Sequence, residues 1–349
     1  MISSSQQFYC LDAKKEGISG ETIKILTSDA FYNEQEFTYE TQRILRHYDR
    51  FIKELESHPY NASCGLTLPE YSRHKRNELF MTLNGPLESV HSFEDYHITN
   101  EEDGNDVLVR LYKHDIEPSS DLIIYIHGGG WTQGNLKNYA YLCRKLTKIL
   151  EKDVLAVDYR LSPENPHPQQ LNDIMAVYKY FLKSKYKKIY LSGDSGGGHL
   201  CASTCIKIND EGLKRPHGSI LFYPALDNDF NSRSFKAFNC PALTKKGTMD
   251  YTNNLVGGNC LDPKNFSNKY IFPSLQKDMK VFPREILVSS GYDILFDGQL
   301  KHVKNMLKSG RKDLTWLVYP GVVHGFMNYG KFYDKLVTQV CQTVKKFLK

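Results

Sequence analysis

The sequence predicts an α/β protein in which a mostly parallel sheet is covered by helices on both faces. Three observations carry this expectation. From about residue 105 onward, short apolar strands alternate with helical stretches, the rhythm of repeated β-α-β units. Leu122-Ile123-Ile124-Tyr125-Ile126 is an unbroken apolar run of the kind found in strands buried on both faces. A G-x-S-x-G pentapeptide, Gly193 to Gly197, sits where the strand-like Lys188-Ile189-Tyr190-Leu191 gives way to the helix-like stretch His199 to Ile206.

Composition narrows the class. The chain has 349 residues, 40% hydrophobic and 24% charged, with a net charge of +5. These are ordinary values for a globular protein with a large core, and the length suits two domains or one long α/β domain. The one dense basic cluster, Arg73-His74-Lys75-Arg76, lacks the length and aromatic interleaving of a nucleic-acid surface, so no nucleic-acid partner is expected. Met1 to Gln7 has no apolar core of a signal peptide, and no apolar run reaches membrane-spanning length. A cytoplasmic protein is the expectation. Its eight cysteines (Cys10, Cys64, Cys143, Cys201, Cys205, Cys240, Cys260 and Cys341) are scattered without a C-x-x-C pair, which argues for reduced thiols and against a metal site. The sequons at Asn61 and Asn265 are discounted for want of a secretion signal.

In chain order, residues 1–85 read as a helical segment without a chemical motif, its clearest amphipathic helix running from Glu40 to Leu55. Sheet begins with His91 to Asp95 and Asp106 to Tyr112, separated by an acidic turn, and continues with Leu122 to Ile126. A helix near Tyr139 to Leu150 precedes the strand Val154 to Tyr159, and a proline-rich turn opens the helix Gln170 to Leu182. After the G-x-S-x-G junction come strands at Ser219 to Tyr223, Glu285 to Ser289 and Leu314 to Tyr319, making eight in all. Helices near Gln299 to Lys308 and Phe332 to Leu348 complete the pattern. Residues 227–280 break it, being rich in aromatics, Gly, Pro and Asn. An insertion there, after a strand's carboxyl end, would cover the functional edge of the sheet as a cap, joined by the N-terminal helices. Residues 86–349 are then the main domain.

The pentapeptide reads as a tight strand-to-helix turn that lifts the Ser195 hydroxyl clear of the sheet, beside the free N–H groups of a helix N-terminus. A second landmark, His127-Gly128-Gly129-Gly130-Trp131, follows the buried strand. Consecutive glycines there would let backbone N–H donors approach a developing oxyanion, the requirement of acyl transfer.

With these landmarks the sequence resembles the hormone-sensitive-lipase-like branch of the α/β-hydrolases, the HGGG esterases and lipases. The resemblance covers roughly 105–349 and rests on HGGGW at 127–131, DYRLSPE at 158–164, GDSGGG at 193–198, YPALD at 223–227, and Asp293-Ile294-Leu295 followed by His324-Gly325-Phe326. It implies the α/β-hydrolase fold, with Ser195 as nucleophile, Asp293 as acid and His324 as base, in the chain order of that fold. Gly128 and Gly129 with the N–H of Gly196 would form the oxyanion hole. Trp131 is expected as a wall of the substrate pocket, and Tyr159 and Asp194 as polar groups at the same pocket, with structural support as their favoured role. Gly196 stands where the family usually has Ala, and Ile294 where it usually has Pro.

Alternatives stay open for some roles. His199, four residues beyond Ser195, is a second possible base, although it lies along the helix and reads as packing behind the site. Asp297 is a second possible acid, although Asp297-Gly298 reads as the start of a helix. His127 is expected to hold the glycine loop. The resemblance implies a serine carboxylester hydrolase of small to medium acyl esters that needs no cofactor. An amidase or deacetylase on the same residues is an alternative, as is a non-catalytic small-molecule receptor; retention of His324 speaks against the receptor. A homodimer is a further expectation drawn from the family.

Overall fold

The computed structural model describes residues 34–57, 59–117, 119–238 and 240–348. Residues 1–33 of the N-terminal segment, Cys10 among them, lie outside the described residues.

Two helices come first, α1 (Glu34–Ser57) and α2 (Leu68–Leu83). Thr67 and Glu70 start α2 with a reciprocal capping box, which satisfies N–H groups that the first turn of a helix leaves unpaired. The α/β unit then runs β1 (Ser92–Thr99), β2 (Asp106–Lys113), β3 (Asp121–Ile126), α3 (Ala140–Leu150), β4 (Asp153–Asp158), α4 (Gln169–Leu182), β5 (Lys188–Asp194), α5 (Gly196–Asp210) and β6 (Gly218–Phe222). Three short helices follow, α6 (Arg233–Ala237), α7 (Lys245–Val256) and α8 (Pro263–Phe266). The chain closes with β7 (Glu285–Tyr292), α9 (Phe296–Lys308), β8 (Leu314–Val323) and α10 (Gly330–Phe347).

The eight strands form one sheet in the order β1-β2-β4-β3-β5-β6-β7-β8. β2 pairs antiparallel with both β1 and β4, and β3 to β8 are parallel. This is the mostly parallel eight-stranded sheet the sequence predicts. Alternation along β3 explains why both faces are covered. Leu122, Ile124 and Ile126 join the apolar layer beneath α4, α5 and α9, whereas Ile123 and Tyr125 join the layer beneath α3, α10, α1 and α2.

Boundaries moved where turn residues misled. Pro320 and Gly321 read as the end of a strand, yet β8 continues to Val323. The β7–β8 pairing survives by a register shift between Ser290 and Tyr292, and this irregularity absorbs the proline. The longer β7 and β8 deliver Asp293 and His324 directly from strand ends. Likewise β5 runs on to Asp194, and α5 begins at Gly196 rather than His199.

Candidate active site

The carboxyl ends of the parallel strands lie at one edge of the sheet, where ligands of open α/β folds bind. Ser195 follows β5, Asp293 follows β7, His324 follows β8, and the glycine loop follows β3. Ser195 has φ 53° and ψ −119°, a conformation unfavourable for a residue with a side chain. Backbone hydrogen bonds hold it there: its N–H donates to the Phe222 carbonyl at 2.9 Å, and its carbonyl accepts from His199 N at 3.0 Å. The turn also requires backbones to touch, since a Cβ on Gly197 would overlap the Ile126 carbonyl oxygen.

The three side chains converge. His324 Nδ1 lies 2.7 Å from Asp293 Oδ2, and its Nε2 lies 2.8 Å from Ser195 Oγ. A carboxylate only accepts, so Nδ1 carries the proton and Nε2 turns its lone pair toward the serine hydroxyl. Asp293 and His324 are both buried, and Tyr223 sets its ring edgewise to the imidazole at 5.1 Å. The Leu295 N–H donates to Asp293 Oδ1 at 2.9 Å, a side-chain turn that orients the acid although Ile294 replaces the usual proline.

The rivals face elsewhere. His199 accepts from Trp131 Nε1 at 3.0 Å through Nδ1 and donates to the Ile271 carbonyl at 3.0 Å through Nε2. Burial pushes its pKa down to about 3, so it stays a neutral packed group. Asp297 accepts from the Ser234 backbone N–H at 2.8 Å, away from His324. His127 is stacked between Tyr139 and Tyr159, with its Nδ1 proton donated to the Gly128 carbonyl at 2.7 Å, which suits its expected loop-holding role.

The glycine loop corrects one expectation. The Gly128 N–H donates to Asp194 Oδ1 at 2.8 Å and is therefore engaged behind the loop. Gly129 and Gly130, with Gly196, line the cavity in front of Ser195, and Gly128 does not. The loop turns because Gly129 adopts φ +106°, where a Cβ would overlap the Gln133 carbonyl. Tyr159 corrects another. Its hydroxyl donates to the His127 carbonyl at 2.8 Å, so it braces the loop from behind and is not part of the cavity wall. Trp131 does line the cavity, its indole N–H shared between the Gly196 carbonyl and His199.

Asp194 reaches the cavity, but its carboxylate is committed to the scaffold. It accepts from the Tyr125 hydroxyl at 2.7 Å and Asn328 Nδ2 at 3.0 Å as well as from Gly128, which ties β3, the glycine loop and the turn after His324 together. Burial raises its pKa to about 6, with these hydrogen bonds pulling part of the way back. Asn328 and Tyr125 escaped notice in the sequence, because nothing in local spacing marks partners 134 and 69 residues away.

Over the strand ends lie α1, α2 and the 240–256 region, contributing Tyr48, Arg76, Leu79, Phe80, Leu243 and Tyr251 to the cavity. Tyr251 of α7 rests directly on the Gly130 backbone. The Tyr48 and Tyr329 hydroxyls are hydrogen-bonded at 2.8 Å in the opposite wall. Among the described residues, no group of three or more His, Cys, Asp or Glu side chains is arranged to hold a metal ion, and no helix is long and apolar enough to cross a membrane.

Known proteins share this arrangement of elements. A family described as alpha/beta hydrolase fold matches residues 123–328, more than half of the chain. The chain is 28% identical over 236 residues to carboxylic ester hydrolase LipN of Mycobacterium tuberculosis, covering 64% of this chain and 61% of that one. It is 33% identical over 174 residues to neutral cholesterol ester hydrolase 1 of Bos taurus, covering 45% and 43%. The matches thus span less than two thirds of either relative's length. The solved structure of a hyperthermophilic esterase from the archaeon Pyrobaculum calidifontis superposes with a TM-score of 0.71 at 25% identity, covering 80% of this chain and 94% of that one. With its sheet order, its strand-end turns and the family match over residues 123–328, the chain belongs to the α/β-hydrolase fold family, in the hormone-sensitive-lipase-like branch.

Proposed function

We propose that the protein is a serine carboxylester hydrolase that cleaves small to medium acyl esters through an acyl-enzyme. One observation carries the reading: His324 stands at hydrogen-bonding distance from both Ser195 Oγ, at 2.8 Å, and Asp293, at 2.7 Å, on the wall of a covered cavity. In this reading Nε2 of neutral His324 takes the Ser195 proton as Oγ attacks the ester carbonyl. Asp293 orients the ring and stabilises the imidazolium. The N–H groups of Gly129, Gly130 and Gly196, which carry no hydrogen bond among the described residues, supply the oxyanion hole. Collapse of the tetrahedral intermediate passes the proton from His324 to the leaving alkoxide, and water repeats the sequence to release the acid. Water is the second substrate and serine the covalent carrier, so the reaction calls for no cofactor. Residues 227–280 and the N-terminal helices act as the cap that excludes bulk water.

Turnover of p-nitrophenyl acetate, butyrate and decanoate by wild type and Ser195→Ala tests this. The substitution is expected to lower kcat by about 10⁴-fold or more without unfolding the protein. Equal turnover by both proteins, or none by wild type on any chain length, overturns it.

A further inference from the structure

The cavity wall holds one charge that neither the fold nor the proposed chemistry uses. Arg76 sits on α2 and lines both the cavity in front of Ser195 and the open groove outside it. Its neighbours in the basic cluster have structural partners. Arg73 donates to the Thr132 carbonyl and pairs with Glu164, while His74 and Lys75 pair with Glu78. Arg76 has no ion pair or hydrogen bond among the described residues. Its guanidinium lies over the Tyr251 ring at 5.7 Å, and Tyr251 in turn rests on Gly130 of the glycine loop. The cation is therefore two contacts from the oxyanion site. Its charge also acts on the buried Tyr48 hydroxyl, opposing the burial that raises that group's pKa.

Acidic groups nearby are engaged elsewhere. Asp194 is held by Tyr125, Gly128 and Asn328, and Asp250, in the outer groove, pairs with Lys246. A guanidinium without an ionic partner in a cavity wall, with the acidic groups around it already engaged, is a recognition group for a carboxylate. An apolar ester would leave this charge unused.

Building on the esterase reading, we propose that Arg76 makes this cavity selective for esters that carry a free carboxylate on one arm. The guanidinium binds the anion at the mouth while the ester carbonyl lies at Ser195.

The test compares matched pairs differing only by the carboxylate. For the acyl arm these are mono-p-nitrophenyl succinate, adipate and suberate against p-nitrophenyl butyrate, hexanoate and octanoate. For the alcohol arm they are 4-acetoxybenzoate against its methyl ester. The readout is the ratio of kcat/KM, anionic over neutral, in wild type, Arg76→Lys, Arg76→Gln and Arg76→Glu. In at least one arm Arg76→Gln is expected to lower the ratio about tenfold, the low end for a hydrogen-bonded charge because the site is open to solvent. Arg76→Glu lowers it further and Arg76→Lys retains most of it. Raising salt from about 0.05 to about 0.5 M lowers the wild-type ratio and leaves that of Arg76→Gln unchanged. Ratios in both arms within about twofold of wild type in Arg76→Gln, an exchange at an exposed helix position, overturn the proposal. If neutral esters are still cleaved in that case, the esterase reading stands; if wild type cleaves no ester, that reading falls as well.

Discussion

Replacing Asp194 by Asn should remove a specific portion of the protein's pH-dependent stability. In the folded chain burial holds this carboxyl at a pKa of about 6, against 3.8 for the free group. A group whose folded pKa is raised binds its proton more tightly in the native state. Its stabilising contribution is complete below about pH 4 and is lost as pH rises through about 6. The interval, at about 1.4 kcal/mol per pH unit, amounts to about 3 kcal/mol. Asn cannot ionise, and the local geometry can accept it. Its Oδ1 keeps the Tyr125 and Gly128 donors, while its Nδ2 meets Asn328, whose Oδ1 has no partner and can turn to accept. Urea unfolding of both proteins at several pH values between about 4.5 and 7.5 measures the difference. The Asn protein should gain on wild type by about 2 of these roughly 3 kcal/mol across that range, the rest falling below about pH 4.5, with no further change above pH 7. A difference that stays flat would refute the assignment of a strained, ionised carboxylate to this position. Asp194→Ala provides the contrast: it strands the Tyr125, Gly128 and Asn328 donors, at about 1–3 kcal/mol each, at every pH.

Further expectations concern the elbow, the acid and the helix pair beneath the sheet. Gly196→Ala should change stability by less than about 1 kcal/mol, because its Cβ would sit 3.2 Å from Trp131 Nε1, a tight contact offset by better helix propensity. Gly197→Ala should cost more than about 3 kcal/mol or abolish folding, since its Cβ falls on the backbone of Ile126 and His127; thermal melts separate the two outcomes. Asp293→Asn should preserve the fold and lower ester kcat by about 10⁴-fold at neutral pH, because an amide can hold His324 with its proton on the wrong nitrogen. Lys145, 1% exposed, reaches from α3 to Asp334 at 2.7 Å and Glu88 at 3.2 Å. Lys145→Met should cost about 1 kcal/mol or less, since both acids can rehydrate, whereas Asp334→Ala leaves a buried ammonium short of a partner and should cost about 2–4 kcal/mol by denaturant titration.

Local pattern was a good guide to the α/β layers and to the edge at which chemistry would sit. An apolar run such as Leu122 to Ile126 must be buried on both faces, and a G-x-S-x-G at a strand's end must turn, because both demands act between residues adjacent in the chain. Ser195 was marked by that turn, whereas Asp293 and His324 came from the family resemblance; all three leave strand ends, and parallel strands put their carboxyl ends together. Contacts between distant segments carry no such signature. That Gly128 gives its N–H to Asp194, leaving the cavity to Gly129 and Gly130, depends on a carboxylate 66 residues later. Tyr159 stands behind the loop because packing on His127 directs it there, and nothing local in the basic cluster at 73–76 marks Arg76 as part of the cavity wall. Periodicity records which face of an element is buried; what that face meets is decided only when the elements pack.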